Sequence, residues 1–233
     1  RHAGRPCTLW DRRVVQGWRI WCSGQPHEHD LGGCSVEQRL EPDPYMIRPT
    51  PAELDAHIVA AGFGGDLVPT TVVLVRDVLR PTFFSSWACV RDVDGDWNMW
   101  PCRTVPTDSE LTKAKRHRDG TAIISASKLN RRCWMTGFHS PGKYGNQRPC
   151  LRQMGTILVH RDDDGDEVPD WTRNSKVWDN AQGVNLHDYR GSSAGCPTMQ
   201  EQALLDELLH VCRRHGAERW DLLVIEPLFE SQT

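Results

Sequence analysis

Short runs of β-branched and aromatic residues, each bounded by turn-forming residues, recur through the chain after residue 66. Two of these runs, residues 86–93 and 97–102, flank Asp94-Gly95, the strongest short-range signal for a β-hairpin. Residues 198–215, in contrast, space their leucines as a helix does. The further runs with strand length and composition are residues 70–79, 121–125, 133–138, 155–160, 184–187 and 220–225. We therefore predict a mainly β (α+β) domain over residues 66–233, with one helix in its C-terminal region.

Capping patterns indicate where the helices begin. The TPAE segment at residues 50–53 combines a hydroxyl N-cap, a proline in the first turn and a glutamate three residues after the cap. Thr198 and Glu201 repeat the threonine–glutamate spacing, which places the start of the second helix just after Thr198. Residues 50–65 are thus interpreted as a helix and linker. Residues 1–49 show little periodicity and are interpreted as an irregular extension or a small module.

Charge and hydropathy exclude several classes of protein. The 28 Lys and Arg against 31 Asp and Glu give a net charge of -3, which argues against a basic nucleic-acid-binding domain. No apolar run approaches the roughly 18 residues that a membrane helix needs. The start of the sequence has no basic and then apolar leader, so we expect synthesis in the cytoplasm without a signal peptide. We expect no nucleic-acid partner, no membrane span and no cofactor.

The nine cysteines constrain the chemistry, because an odd number cannot form a fully paired disulfide framework within one chain. None lies in a CxxC motif or a tight Cys/His cluster, which removes the usual zinc-finger spacings. We expect free thiols in a reducing compartment, most of them packing residues and one with a special role. The ten tryptophans suit stacking on sugar rings, although packing in a β core is their commoner use.

The densest functional signal is the stretch NLHDYRGSSAGCPT at residues 185–198. His187 ends a predicted strand, and Cys196 follows a run of small residues that leaves its sulfur unshielded. Gly195 lets the backbone approach a substrate, and a helix beginning after Thr198 would favour a thiolate. His187 could then deprotonate Cys196, while the amides around Gly195 and Cys196 form an oxyanion hole. A buried free cysteine beside a structural histidine fits the same spacing.

This stretch resembles the catalytic segment of L,D-transpeptidase (YkuD-type) domains, where a strand ending in His precedes a Ser-x-Gly-Cys nucleophile loop. It is most similar to the shortened form found in phage lytic proteins and cell-wall-targeting effectors. Looser similarity extends from about residue 73 to residue 225. Standard members have a histidine two positions before the cysteine, where this chain has Ala194. The resemblance therefore makes His187 the base.

The resemblance implies a β-sandwich or barrel whose cysteine attacks an amide in a peptidoglycan stem peptide, between the L-centre of a diamino acid and D-Ala. Cys196 would form a thioester, and the acyl group would pass to water (L,D-carboxypeptidase) or to an amine (transpeptidase). Such a phage- or bacterium-encoded enzyme would act at the cell wall or periplasm, on a peptidoglycan peptide or glycan. Besides Cys196, His187 and Gly195, the candidate substrate contacts are Ser193, Arg190, Tyr144, His139 and His160.

Two other functions fit the same residues. Ala194, in place of the family's histidine, leaves open a second function, that of a non-catalytic phage structural or cell-wall-binding protein that retains the fold. A cysteine hydrolase acting on another amide or ester would share the catalytic residues but not the substrate.

An acidic loop is a candidate metal site. Oxygen atoms of Asp162, Asp164, Asp166 and Asp170 could bind Ca²⁺. In an EF-hand register, however, Glu167 takes the position that requires glycine. A solvated acidic turn is therefore the favoured interpretation, and we expect no metal.

Overall fold

A computed structural model describes residues 48–65, 67–78, 84–107, 110, 121–139, 148–161, 176–179, 181–189 and 193–227. The chain divides into two compact units, Arg1–Pro44 and Tyr45–Thr233, and all the described residues belong to the second. Almost all of the predicted extension over residues 1–49 lies outside them. No helix in the described ranges has the length and apolar character needed to cross a membrane.

The described ranges contain ten strands and two helices, which confirms the mainly β, α+β class. The helices are α1 (Pro51–Ala60) and α2 (Gln202–Arg214). The strands are β1 (Thr71–Val75), β2 (Ser86–Arg91), β3 (Trp97–Arg103), β4 (Ile123–Ile124), β5 (Leu129–His139), β6 (Arg148–Gln153), β7 (Val159–His160), β8 (His187–Asp188), β9 (Thr198–Met199) and β10 (Trp220–Ile225).

Eight strands form one sheet in the order β6-β5-β10-β1-β2-β3-β9-β8, while β4 and β7 pair separately. The pairs β1–β10 and β8–β9 are parallel, and the others in this sheet are antiparallel. The two edges of the sheet meet, because Leu151 of β6 and Leu186, just before β8, exchange both backbone hydrogen bonds at 3.0 Å. The sheet is thereby nearly closed into a barrel. We call the β6–β8 junction the seam.

The sheet is buried on both faces, which explains why its central strands are continuous apolar runs. Successive residues of β1 alternate between two clusters, with Val72 facing the one that includes α2 and Val73 facing the one that includes α1. Leu54 anchors α1 in the second cluster and is fully buried. The predicted helix and linker therefore contribute a packed element to the β unit. Four tryptophans are buried in the two clusters, as expected for core packing: Trp87, Trp100, Trp134 and Trp220.

Two local predictions are confirmed. Gly95 in the β2–β3 turn has a φ of 96°, which glycine adopts without strain, and the Asp92 side chain accepts hydrogen bonds from two backbone N–H groups of the turn. At the start of α1, the Thr50 hydroxyl accepts from the N–H of Glu53, whose carboxylate accepts from the N–H of Thr50. Both arrangements depend on neighbours in sequence, which is why sequence predicts them well.

The predicted capping box at Thr198 and Glu201 is wrong. Thr198 lies in β9, the helix begins at Gln202, and Glu201 is an N-cap without a side-chain hydrogen bond. Pairing of β9 with β3 and β8 on either side takes Thr198 into the sheet and prevents it from capping a helix. The prediction also missed β6, because its sequence contains Pro149 and two arginines and so lacks the composition typical of a strand. Proline is tolerated there because β6 is an end strand of the sheet.

Candidate active site

The cysteine loop lies at the seam. The parallel strands β8 and β9 pair His187 with Thr198, so Cys196, two residues before Thr198, comes to the same end of the sheet as His187. On the other side of the seam, the Leu151–Leu186 bridge makes Cys150 of β6 the neighbour of His187. Closure of the barrel thus brings the C-terminal motif against β6 and, through it, against β5.

Cys196 differs from the other cysteines that the structure describes. It is half-buried, whereas the remaining five are fully buried: Cys89, Cys102, Cys133, Cys150 and Cys212. Its Sγ accepts a hydrogen bond from the N–H of Asn185 at 3.4 Å and donates one to the carbonyl of Gly183 at 3.2 Å. Burial raises the pKa of the Cys196 thiol to about 11, against the opposing effect of the Asn185 N–H. The thiol is therefore protonated at neutral pH.

The protonated state of Cys196 contradicts the prediction that a helix N-terminus stabilises its thiolate. The helix begins at Gln202, well past Cys196, and the field of a helix end fades within about one turn. Burial therefore determines the pKa of Cys196, and it acts in the opposite direction to the one predicted.

Gly195 is required by the geometry of the loop, although its close contact is with the protein's own backbone and not with a substrate as predicted. Its φ is 131°, and a Cβ at this position would lie 2.7 Å from the carbonyl oxygen of Ala122. The Ser193 hydroxyl donates to the Cys196 carbonyl at 2.7 Å, and the Ser193 carbonyl accepts from the N–H of Thr107 at 3.1 Å. Ser193 thus holds the loop in shape. No residue in the described ranges accepts a backbone hydrogen bond from the N–H of Gly195 or Cys196, the two predicted oxyanion donors.

His187 is buried and held by its own main chain. Its Nδ1 lies 2.6 Å from the carbonyl oxygen of Asp188, so Nδ1 carries the proton and Nε2 carries the lone pair. The pKa of His187 is lowered to about 4, chiefly by burial and also by the charges of His139 and Arg148, while the Asp188 carbonyl bond and the Asp188 charge oppose the shift. His187 is therefore neutral at physiological pH, in the tautomer that a general base needs. The orienting bond is made by the main-chain carbonyl of Asp188 and not by its carboxylate.

His139 at the end of β5 stacks on His187, with ring centroids 4.4 Å apart and an interplanar angle of 22°. Asn185 presents its Nδ2 to Nδ1 of His139 at 2.8 Å. The orientation of the amide is fixed because the Asn185 Oδ1 accepts the backbone N–H of Gln153 at 2.8 Å. Neutral His139 therefore carries its proton on Nε2. Its pKa is lowered by burial and then by Arg148.

Asn185 is the residue that sequence reasoning missed. Its main chain binds the Cys196 sulfur and its side chain binds His139, so it joins the thiol to the stacked histidines. It stands in the motif itself, but an asparagine before a strand gives no signal of such a role. Gln153 was missed too, and its side chain fixes the segment before His187 by accepting from the N–H of Val184 and donating to the Ala181 carbonyl, both at 2.8 Å.

Two residues of β6, Arg148 and Cys150, lie next to the stacked histidines and Cys196. Arg148 pairs with His139 across β5–β6 and depresses the pKa of both histidines. Cys150 pairs with Gly137 of β5. Burial raises the pKa of Cys150 to about 12, and the nearby Cys196 adds to that shift. A second, buried thiol therefore lies beside the first.

The other predicted site residues are placed differently. His160 is buried in β7, where its Nε2 lies 3.0 Å from the Ser125 hydroxyl and its Nδ1 lies 3.3 Å from the Lys176 carbonyl. Arg190, Tyr144 and the acidic loop with Asp162, Asp164, Asp166 and Asp170 lie outside the described residues. Within the described ranges, no group of three or more His, Cys, Asp or Glu side chains could hold a metal ion.

Comparisons of the chain with protein-family models, curated proteins and solved structures find no match. The similarity of residues 185–198 to L,D-transpeptidase segments therefore stays a prediction. The fold and the site themselves define a mainly β protein with one half-buried thiol, two stacked histidines and a connecting asparagine at the seam of its sheet.

Proposed function

We propose that this protein is a cysteine-dependent acyl-transfer enzyme that acts on peptidoglycan stem peptides, with Cys196 as nucleophile and His187 as base. The observation that carries the proposal is the fixed tautomer of His187 at the seam. Its Nδ1–H is held by the Asp188 carbonyl, which leaves Nε2 as a proton acceptor at the same end of the sheet as the half-buried thiol.

The pKa values define how such a reaction would start. A thiol with a pKa of about 11 and a histidine with a pKa of about 4 are both neutral at pH 7. The proton would therefore leave Sγ as the sulfur attacks the carbonyl carbon, and His187 Nε2 would receive it in the same step. The N–H groups of Gly195 and Cys196 would stabilise the developing oxyanion.

In the remaining steps of the proposed reaction, His187 transfers the protons and Cys196 carries the acyl group. When the tetrahedral intermediate collapses, the C–N bond breaks, and the leaving amine takes the proton from His187 Nε2. This leaves a thioester on Cys196. Water or an acceptor amine then attacks the thioester, gives its proton to His187, and releases the thiolate, which His187 reprotonates. On the proposed substrate, D-Ala leaves first, and hydrolysis yields a shortened stem peptide while aminolysis yields a cross-link.

The test compares the wild type with Cys196→Ala and His187→Ala on purified disaccharide-tetrapeptide, with products resolved by mass spectrometry. We expect tripeptide from the wild type, none from Cys196→Ala and a loss of at least about 100-fold in His187→Ala. His210→Ala, at an exposed position of α2, is the matched histidine control. Equal product from the wild type and Cys196→Ala would overturn the proposal.

One observation favours a second function, a non-catalytic protein that binds the cell wall. The neutral thiol and neutral His187 lack the preformed ion pair that many cysteine nucleophiles use. Binding of this protein to purified sacculi without release of any peptide would support that function. Turnover of a simple thioester or activated ester, without turnover of muropeptides, would instead indicate a cysteine hydrolase with another substrate.

A further inference from the structure

A row of paired residues runs from His187, the proposed base, across two neighbouring strands. His187 of β8 pairs with Thr198 of β9, and Thr198 pairs with Arg103 of β3. Directly paired residues in neighbouring strands project on the same face of a sheet. Two strand spacings of about 4.8 Å put the backbone of Arg103 roughly 10 Å from that of His187.

The aromatic neighbours of Arg103 confirm on which face it lies. Its guanidinium carbon is 4.8 Å from the ring centroid of Phe84 and 5.1 Å from that of Tyr189, and the two rings meet edge to face at 5.3 Å. Tyr189 is two residues after His187, and alternate residues of an extended segment share a face. The guanidinium therefore lies on the His187 face, held by two rings that limit the rotamers it can adopt.

Thr198 stands between Arg103 and His187 and adds an unused polar group. Its side chain is fully buried, and its Oγ1 has no hydrogen-bond partner within the described part of the chain. Buried hydroxyl groups in native proteins nearly always have a partner, so this Oγ1 is an exception that lies next to the candidate site.

Arginine side chains stand on both sides of the histidines, and the Asp188 carboxylate also acts on both rings and raises their pKa values. Arg148 lies on the β6 side, close enough to act on both rings, and Arg103 lies on the β9 side. Arginine offers a planar fork of N–H donors that matches a carboxylate, and stacking against aromatic rings orders that fork before binding.

From this geometry we infer that Arg103 is the specificity residue that binds a free carboxylate of the substrate. This inference rests on the proposed function, in which the leaving residue is a C-terminal D-Ala. One residue spans at most about 3.6 Å, so the terminal carboxylate of that D-Ala lies close to the reacting carbonyl, and the arginine side chain covers the remaining distance. The protein should therefore prefer peptides that end in a free carboxylate over the same peptides ending in an amide.

The experiment measures kcat/KM on a tetrapeptide and on its C-terminal amide for the wild type and for Arg103→Gln. We expect a preference of about 10- to 100-fold for the free acid in the wild type, and loss of most of that preference in Arg103→Gln, chiefly through KM. Arg103→Lys should restore only part of it, because lysine cannot make the bidentate contact. Arg213→Gln, at an exposed position of α2, is the arginine control.

Two outcomes separate this inference from the proposed function. If the wild type cleaves the acid and the amide equally well and Arg103→Gln does the same, the inference is overturned while the function stands. If the wild type cleaves neither peptide, binding of both peptides to Cys196→Ala is measured by calorimetry. Preference for the acid that Arg103→Gln abolishes would then support the inference without the function, and equal binding of both peptides would overturn it.

Discussion

At the scale of single residues, Asn185 and the carbonyl of Asp188 assign opposite tautomers to two stacked histidines. His187 offers a lone pair on Nε2, while His139 carries its proton on Nε2. One ring can therefore accept a proton while the other donates a hydrogen bond. Both are kept neutral by burial, so the pair avoids the repulsion that two imidazolium rings 4.4 Å apart would suffer.

The first prediction concerns the asparagine. Asn185→Ala keeps the backbone N–H that binds Cys196 Sγ but removes the partners of His139 and of the Gln153 N–H. We expect a loss of about 1–3 kcal/mol in the free energy of unfolding, measured in urea, because buried groups lose their hydrogen bonds. Asn98→Ala, in the β2–β3 hairpin, is the matched control, and an equal effect of the two substitutions would contradict the role given to Asn185.

The second prediction follows from the depressed pKa of His187. Below pH 6.5 the unfolded histidine binds a proton, but the folded one does not until about pH 4. The unfolded state thus binds more protons in this window, so stability falls as the pH is lowered from 6.5 to 4, by up to about 3 kcal/mol from this group. Urea unfolding of the wild type should show a steeper pH dependence there than that of His187→Asn. The same slope in both proteins would contradict the buried, neutral state of His187.

The third prediction uses the reactivity of the thiol. Because the pKa of Cys196 is raised to about 11, its thiolate fraction should rise about tenfold per pH unit between pH 7 and 10. Alkylation by iodoacetamide, followed at the Cys196 peptide by mass spectrometry, should rise in the same way, while the buried Cys212 stays protected. A rate that is already at its plateau below pH 8 would show a preformed thiolate instead.

At the scale of elements, the site depends on very short strands held by their neighbours. β8 and β9 have two residues each, and each is ordered only by pairing with the other or with an adjacent strand. The loop between them is fixed by Gly195, which approaches the Ala122 carbonyl more closely than any side chain allows. These short elements hold the candidate site residues, while the longer strands form the rest of the sheet.

The fourth prediction tests that close approach. Gly195→Ala places a Cβ 2.7 Å from the Ala122 carbonyl oxygen at a φ of 131°, so the loop that carries Cys196 must move. We expect a destabilisation of about 2–4 kcal/mol and loss of any Cys196-dependent activity. Gly216→Ala, which also has a positive φ but open space around it, should cost only about 1 kcal/mol. Similar costs at the two glycines would contradict the steric argument.

Elements whose signals are local were predictable from sequence, and those made by distant pairing were not. The β2–β3 hairpin and the α1 cap depend on residues a few positions apart, and both were predicted. Thr198 has the same threonine–glutamate pattern as the α1 cap, but pairing with Arg103 and His187 places it in a strand. The motif indicated Cys196, His187 and Gly195 as candidate site residues, whereas the contacts of Asn185 and Arg103 depend on strand order, which no local pattern encodes.

At the scale of the whole molecule, closure of the sheet creates the site. β6 and β8 are the two ends of an eight-stranded sheet, and the Leu151–Leu186 bridge and the hydrogen bonds of Gln153 bring them together. This closure sets His139 and Arg148 of one edge against His187 of the other. The two hydrophobic clusters, one with each helix, hold the sheet in the curvature that the closure requires.

The central claim is that Cys196 carries an acyl group during turnover, and the intact mass of the protein after rapid quenching with the tetrapeptide tests it most directly. We expect an adduct on the wild-type protein that equals the mass of the substrate less D-Ala. It should lie on the Cys196 peptide and be absent from Cys196→Ala. Product formation with no adduct on Cys196, or an adduct that persists in Cys196→Ala, would contradict the claim.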